Sequence, residues 1–216
     1  MKIVIKIGGS LLFDDFGPNV NYIKNLLRVL KKIRKKHKII LAVVGGKVAR
    51  NYIKRAKELG ISDEASEWIA IEILKANVRL FSYLLSMPPV FNLEDVKNND
   101  ECVLGGICPG RSTDANATLA AKIANADVFI KATNVDGIYT KDPKKFKAAK
   151  KIEKMSFAEL RRFKTKGKPG SYGILDGLAI ENIVKNRIRT LVINGENPKN
   201  ILRAIKGEKI GTEICD

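Results

Sequence analysis

Apolar runs that stop at paired glycines and then give way to helical patterns constrain this chain more than any other feature. Lys2 to Ile7 alternates like a strand and ends at Gly8-Gly9. Lys38 to Val44 is a second strand, closed by Gly45-Gly46. Asp127 to Ala132 is another, followed by Thr133, Asn134 and an Asp136-Gly137 turn. Strands that alternate with helices predict an α/β domain with a mostly parallel sheet. Ligands of such sheets sit at the carboxyl ends of strands, where these glycine pairs fall.

The rest of the chain fits that scheme. Ile23, Leu26, Leu27, Leu30 and Ile33 recur at helical spacing. A helix is expected over Lys47 to Leu59, closed by Gly60. A long one follows over Glu64 to Leu85, with Ile69, Ile73, Ala76 and Leu80 on its stripe, and Pro88-Pro89 ends it. Short strands fit around Val90 and Val103, and Asp114 to Asn125 is Ala-rich and helical. Ser156-Phe-Ala-Glu159 is a capping box. Then come a glycine-rich loop over Gly167 to Gly173, a helix near Leu175 to Asn186, a strand over Arg189 to Asn194, a helix over Pro198 to Lys206 and a short terminal strand. A soft boundary near residues 120–127 separates two lobes of one domain.

With 216 residues, 45% of them hydrophobic, the chain can bury a substantial core. No apolar run approaches the roughly 18 residues of a membrane helix. Met1 to Gly8 alternates and turns rather than forming a secretion signal, so a cytoplasmic location is expected. Cys102, Cys108 and Cys215 are scattered and His37 is the one histidine. No zinc pattern assembles, and no residue stands out as a direct metal ligand. The net charge of +17 attracts anions. Its basic runs carry few aromatics for stacking on bases. Small phosphorylated molecules, not nucleic acid or membrane, are the expected partners.

Lys6 lies between Ile5 and Ile7, where a lysine is costly unless its amine emerges toward an anion. Gly8-Gly9 opens backbone N–H groups to a phosphate, and Ser10 adds a hydroxyl. Gly45-Gly46 before a helix repeats the arrangement, with Arg50 one turn in and able to fork onto a phosphate. Gly105 to Ser112 looks like a Walker loop with arginine for lysine. A true one follows the first buried strand and needs lysine's point charge. The segment reads better as a flexible loop before Thr113-Asp114. Asp114 stays open to three roles: an acid at a helix start, the partner that orients Lys6, or a metal ligand. After Lys131, Thr133 and Asn134 can bond a ribose or base edge, Tyr139 offers a ring face, and Asp142-Pro143 caps the loop. A lone histidine in a lysine run supports no Ser–His or Cys–His nucleophile. Phosphoryl transfer needs none, because its catalysis is mostly positioning and charge stabilisation. These stretches together point to an ATP-dependent kinase without a Walker loop.

They resemble the amino acid kinase superfamily, most closely the archaeal UMP kinases. The likeness includes Lys6 to Ser10, Gly45 to Arg50, Lys75-Ala-Asn77, Pro109 to Ala115, Thr133 to Pro143 and Gly170 to Asp176. The resemblance implies a three-layer αβα sandwich of the carbamate kinase type. Residues 1–125 would take the acceptor and 126–216 would take ATP with Mg²⁺, in a homodimer or hexamer. It implies Lys6 and Asp114 as the catalytic centre, with Gly8, Gly9, Ser10, Gly46 and Arg50 along the phosphate path. Lys131, Thr133, Asn134, Asp136, Gly137, Tyr139 and Asp142 would hold ATP. Gly45, Glu67 and the loop Ile107, Cys108, Pro109, Gly110, Arg111, Ser112 and Thr113 would meet the acceptor.

Departures from the family pattern gather on the acceptor side. Val44 replaces a glycine, Glu67 stands where an aspartate meets the UMP ribose, Ala70 replaces a glycine, and Trp68 is bulky beside it. Arg111-Ser112 stands for His-Thr, Asn116 for Val or Thr, and Tyr172-Gly173 and Gly177 for small residues and a proline. A methanogen branch of UMP-kinase-like proteins drifts in this way, with adenylate-kinase-like or aminomethylfuran-phosphate kinase activity in methanofuran synthesis. Either acceptor gives a diphosphate, and so does UMP, the alternative. Two other classes compete: a nucleotide-binding regulatory or nucleic-acid-binding relative, which has no need of Lys6, Asp114 and Asp136 together, and a carboxylate kinase, whose asparagine-rich acceptor segment is missing.

Overall fold

The computed structural model describes residues 1–143, 145–165 and 174–216. The strands are β1 (Lys2–Ile7), β2 (Lys38–Ala42), β3 (Pro89–Val90), β4 (Cys102–Leu104), β5 (Val128–Thr133), β6 (Ile138–Tyr139), β7 (Lys151–Ile152), β8 (Lys154–Met155), β9 (Thr190–Asn194) and β10 (Thr212–Ile214). Eight of them form the central sheet, in the order β3-β4-β2-β1-β5-β9-β10-β8. Every pairing in it is parallel except β9 with β10. The helices are α1 (Gly9–Leu12), α2 (Val20–Arg34), α3 (Gly46–Glu58), α4 (Asp63–Leu85), α5 (Thr113–Ile123), α6 (Phe157–Thr165), α7 (Gly177–Asn186) and α8 (Lys199–Ile205). The expected αβα sandwich is the observed fold. The glycine-rich loop expected over Gly167 to Gly173 lies outside the described residues, as do Tyr172 and Gly173 of the family comparison.

The two-residue period of β1 sorts its side chains between two cores. Ile3, Ile5 and Ile7 pack with Leu26, Leu30 and Ile33 of α2 and Ile201 of α8. Val4 packs on the other face with Ala117, Ala120 and Ala121 of α5 and Ile183 of α7. Both faces are covered, which is why the inner strands read as near-continuous apolar runs. Lys6 shares the face of Val4, and so points toward α5.

Local signals start the helices. Asn19 caps α2 by accepting from Tyr22 N–H at 3.1 Å, and Ser62 caps α4. The capping box before α6 forms as expected. Ser156 Oγ accepts from Glu159 N–H at 3.2 Å, while the Glu159 carboxylate accepts from Ser156 N–H at 2.8 Å. The left-handed Ser86 (φ 51°) ends α4 before the two prolines.

Two expectations are corrected. The stripe Ile69, Ile73, Ala76 and Leu80 is not the buried face of α4, which is Ser66, Ala70, Ile71, Val78, Phe81, Ser82 and Leu85. This helix is apolar around most of its circumference, so periodicity did not specify its phase. The stretch after Thr133 is more than a loop: Ile138–Tyr139 pairs with Lys151–Ile152 in a two-stranded ribbon. A 3₁₀ helix also spans Leu93–Asn98 between β3 and β4. Among the described residues, no helix is long and apolar enough to cross a membrane. All three cysteines are free, and burial pushes the Cys102 thiol up to about 12, which keeps it an inert apolar group.

Candidate active site

Strands β1 and β5 are parallel neighbours whose register sets Lys6 opposite Lys131. Both amines reach the same side of the sheet, where like charges repel. Asp114, in the first turn of α5, lies between them. Its Oδ2 accepts from Lys131 Nζ at 2.5 Å, and its Oδ1 lies 3.2 Å from Lys6 Nζ, an ion pair without hydrogen-bond alignment. The Ile174 carbonyl accepts a second hydrogen bond from Lys131. Both lysine side chains are nearly inaccessible to solvent. Of the roles left open for Asp114, the geometry matches the partner of Lys6, although its tighter partner is Lys131.

Burial raises the proton affinity of Asp114, but Lys131 and Lys6 together outweigh it and hold its carboxyl below the ordinary range. Burial works the other way on Lys131. Despite Asp114, its amine falls from the ordinary 10.5 to about 8. We therefore expect kcat/KM for ATP, which reports the free enzyme, to fall above a midpoint near pH 8. Stability moves oppositely. Between about 8 and 10.5 the unfolded chain holds a proton that folded Lys131 lacks, so this group's contribution to stability rises with pH. A pH–rate profile beside pH-dependent melting checks both signs. A flat rate profile to pH 10 contradicts the first.

Two cavities meet here. The larger, about 620 Å³, is lined by α3, α4 and the loop before α5. The smaller, about 460 Å³, is lined by the ends of β1 and β5 with Asp142 and Ile174. They share Lys6, Gly9 and Arg50. The helix starts facing them are bare: neither Gly8 before α1 nor Gly45 before α3 supplies a side-chain cap, so the first N–H groups stay available to an anion. The two glycine turns are packed back to back. A Cβ on Gly45 would meet Ala49 Cβ at 2.4 Å, and Gly46 combines φ +67° with Phe13 Cβ at 2.7 Å from such a Cβ. Asn77 fixes the second turn by donating to the Val44 carbonyl at 2.9 Å.

Most of the site read from sequence assembles at these cavities. Gly45, Gly46, Glu67, Cys108, Pro109, Gly110, Arg111, Ser112, Thr113 and Asp114 line the larger one. Gly8, Ser10, Lys131, Thr133, Asn134 and Asp142 line the smaller. Ile107 lines neither, although its neighbours do. Asp136 and Tyr139 line a separate cavity of about 360 Å³ with Asn194 and Arg203. Asp136 accepts from Asn194 there at 2.9 Å, and Gly137 is wedged against Gly211 and Thr212. Trp68 lies outside the lining of the larger cavity. Glu67, Ala70, Ile71 and Leu74 face it, while Trp68, one helical step of about 100° away, is 45% exposed. Glu67 accepts from Gly110 N–H at 2.8 Å and so ties α4 to the loop. Sequence reasoning missed Ile53, Leu74, Gly106, Val135 and Ile174. Ile71, also missed, and Leu74 carried a signal, each one turn beyond a residue singled out in the sequence, Glu67 and Ala70 respectively.

The class defined by this fold and site is that of a family model described as "Amino acid kinase family", which matches residues 1–91 and 89–194. The chain belongs to this family and is a phosphotransferase. It is 36% identical to uridylate kinase of Archaeoglobus fulgidus, over 100% of both chains, and 36% identical to uridylate kinase of Thermococcus onnurineus, over 99% of both. The crystal structure of the A. fulgidus uridylate kinase superposes with a TM-score of 0.88 at 35% identity and covers both chains fully. That of UMP kinase from Ureaplasma parvum, 21% identical, gives 0.84 over 100% of this chain and 99% of that one, a likeness of fold.

Proposed function

We propose that this chain transfers the γ-phosphoryl group of ATP to a phosphate monoester to give a diphosphate, with residues 1–125 holding the acceptor and 126–216 holding ATP. One observation carries the reading. Two differently lined cavities meet at Lys6, Gly9 and Arg50, beside a carboxylate held between two ammonium groups. The acceptor's anionic oxygen needs no strong base. It needs cations that offset repulsion between two phosphates. Lys6 supplies one at the junction, Lys131 one on the ATP side, and Arg50 a fork between them. Asp114 moves no proton; it holds the two amines in place. Mg²⁺ enters as MgATP. On this reading the nucleotide's phosphates carry the metal, and both Asp114 oxygens are left to the lysines. The cytoplasm, with its ATP, is the matching location.

Within this reading the acceptor is aminomethylfuran phosphate or AMP. Glu67 supports that choice. Its carboxylate lines the acceptor cavity and bonds one N–H, of Gly110. A carboxylate there suits an amino-bearing acceptor whose phosphate lies toward Lys6 and Arg50. The second reading, UMP, is favoured by the relatives, which are named uridylate kinases. A coupled assay of ADP release over UMP, AMP, CMP and aminomethylfuran phosphate separates them. We expect an amino-bearing acceptor to lead, and Glu67→Gln to lower its kcat/KM by about tenfold or more while sparing UMP. A tenfold lead for UMP would overturn the acceptor and keep the kinase. No ADP from any acceptor would overturn both.

A further inference from the structure

The two groups that hold Lys131 come from segments 60 positions apart, and a hydrogen bond between two helix caps joins those segments. Ser112 is the N-cap of α5, and its Oγ accepts from Ala115 N–H at 3.0 Å. A hydroxyl has one proton to donate, and Ser112 gives it to Asp176 Oδ2 at 2.5 Å. Asp176 is the N-cap of α7, and its other oxygen, Oδ1, accepts from Leu178 N–H at 2.9 Å and Ala179 N–H at 3.0 Å. One residue thus caps each helix, and the caps are bonded to each other. Two positions after Ser112 comes Asp114, the carboxylate on Lys131. Two positions before Asp176 comes Ile174, the carbonyl on Lys131. Farther along, Asn182 of α7 donates to Thr118 Oγ1 of α5 at 3.0 Å, so the clasp closes the end of an already packed helix pair.

We propose that Ser112 and Asp176 act as one positioning unit, which holds Asp114 and the Ile174 carbonyl at Lys131 and thereby fixes the cation pair for phosphoryl transfer. Ser112 also lines the acceptor cavity. Its hydroxyl proton is committed to Asp176, so its part is to tie the acceptor loop to the start of α7, not to grip the acceptor. The unit rests on the kinase reading above, because its effect passes through Lys131 and Asp114. Among the described residues, three charged groups bear on Lys131: Asp114 from α5, Lys6 from β1 and Asp176 from the start of α7.

A double-mutant cycle tests the unit, with Ser112→Ala, Asp176→Asn and the pair measured for kcat, KM for ATP and thermal midpoint. Each single variant is expected to lower kcat about tenfold or more, since small misplacements of catalytic groups are expensive. KM for ATP should shift less than kcat. The pair should lose no more than the worse single, and Ser112→Thr, which keeps the hydroxyl, should restore most of the rate. Losses that multiply in the pair, or singles with wild-type kcat, would overturn the unit while wild-type turnover kept the kinase reading intact. If wild type turns over no acceptor, the thermal midpoints of the same four proteins still decide. Non-additive shifts support the clasp, and additive ones overturn it.

Discussion

Lys6→Ala is expected to abolish most turnover while leaving the protein folded. Among the described residues, Lys6 is the one ammonium that touches both cavities. Removing one preorganised charge from a phosphoryl-transfer site lowers kcat by about 10²–10³-fold, on the scale of a lost oxyanion donor. Stability should hardly change. Asp114 keeps its closer partner, Lys131 at 2.5 Å, and the repulsion between two ammonium groups opposite each other in register disappears. Steady-state kinetics beside a melting curve tests this. Wild-type turnover in the variant would remove Lys6 from the mechanism, and a collapsed melting midpoint would mean that its role is structural.

Asp114→Ala should fail in both respects. The carboxylate pairs with two buried amines, and its loss takes from both their direct ion-pair partner among the described residues. Breaking a buried ion pair by removing one partner costs about 3–5 kcal/mol. That corresponds to a fall on the order of ten degrees in Tm for a chain of this size. The remaining amines are expected to shed protons, and the cations that a phosphoryl group requires go with them. Activity should therefore drop at least as far as in Lys6→Ala. A variant that melts like wild type would show that water or rearranged side chains already neutralise these lysines.

The parts of this molecule that were legible in the sequence are those set by local chemistry. β1, β2 and β5 are buried on both faces, so each announces itself as an apolar run, and the bare glycines after β1 and β2 mark where the sheet meets its cavities. The Ser156 capping box is local in the same way. What depended on long-range register was hidden. Nothing in the neighbourhood of Lys6 or Lys131 says that the two stand opposite each other, because that follows from how β1 and β5 pair. Asp176 read as an ordinary residue of the helix near Leu175 to Asn186, because its partner, Ser112, lies in a distant segment. The phase of α4 was ambiguous for the opposite reason: too many of its positions are apolar. Among the acceptor residues, Ile107 was swept in with its loop, since a list of neighbours does not tell which backbone turns face a cavity. The edge strand β8 is only two residues long, too short for a pattern.

The shared wall of Lys6, Gly9 and Arg50 has a practical consequence for inhibitor chemistry. On the proposed reading, two compartments that share this cationic wall make one bisubstrate site. A single linear compound, with an adenosine at one end, an acceptor-like head at the other and a short polyphosphate bridge between, would occupy the whole of it. Because its two ends are tethered, each raises the local concentration of the other, so such a compound should bind far more tightly than either half alone. The bridge length that binds best would measure, without any crystal, how far apart the two phosphates stand at the moment of transfer.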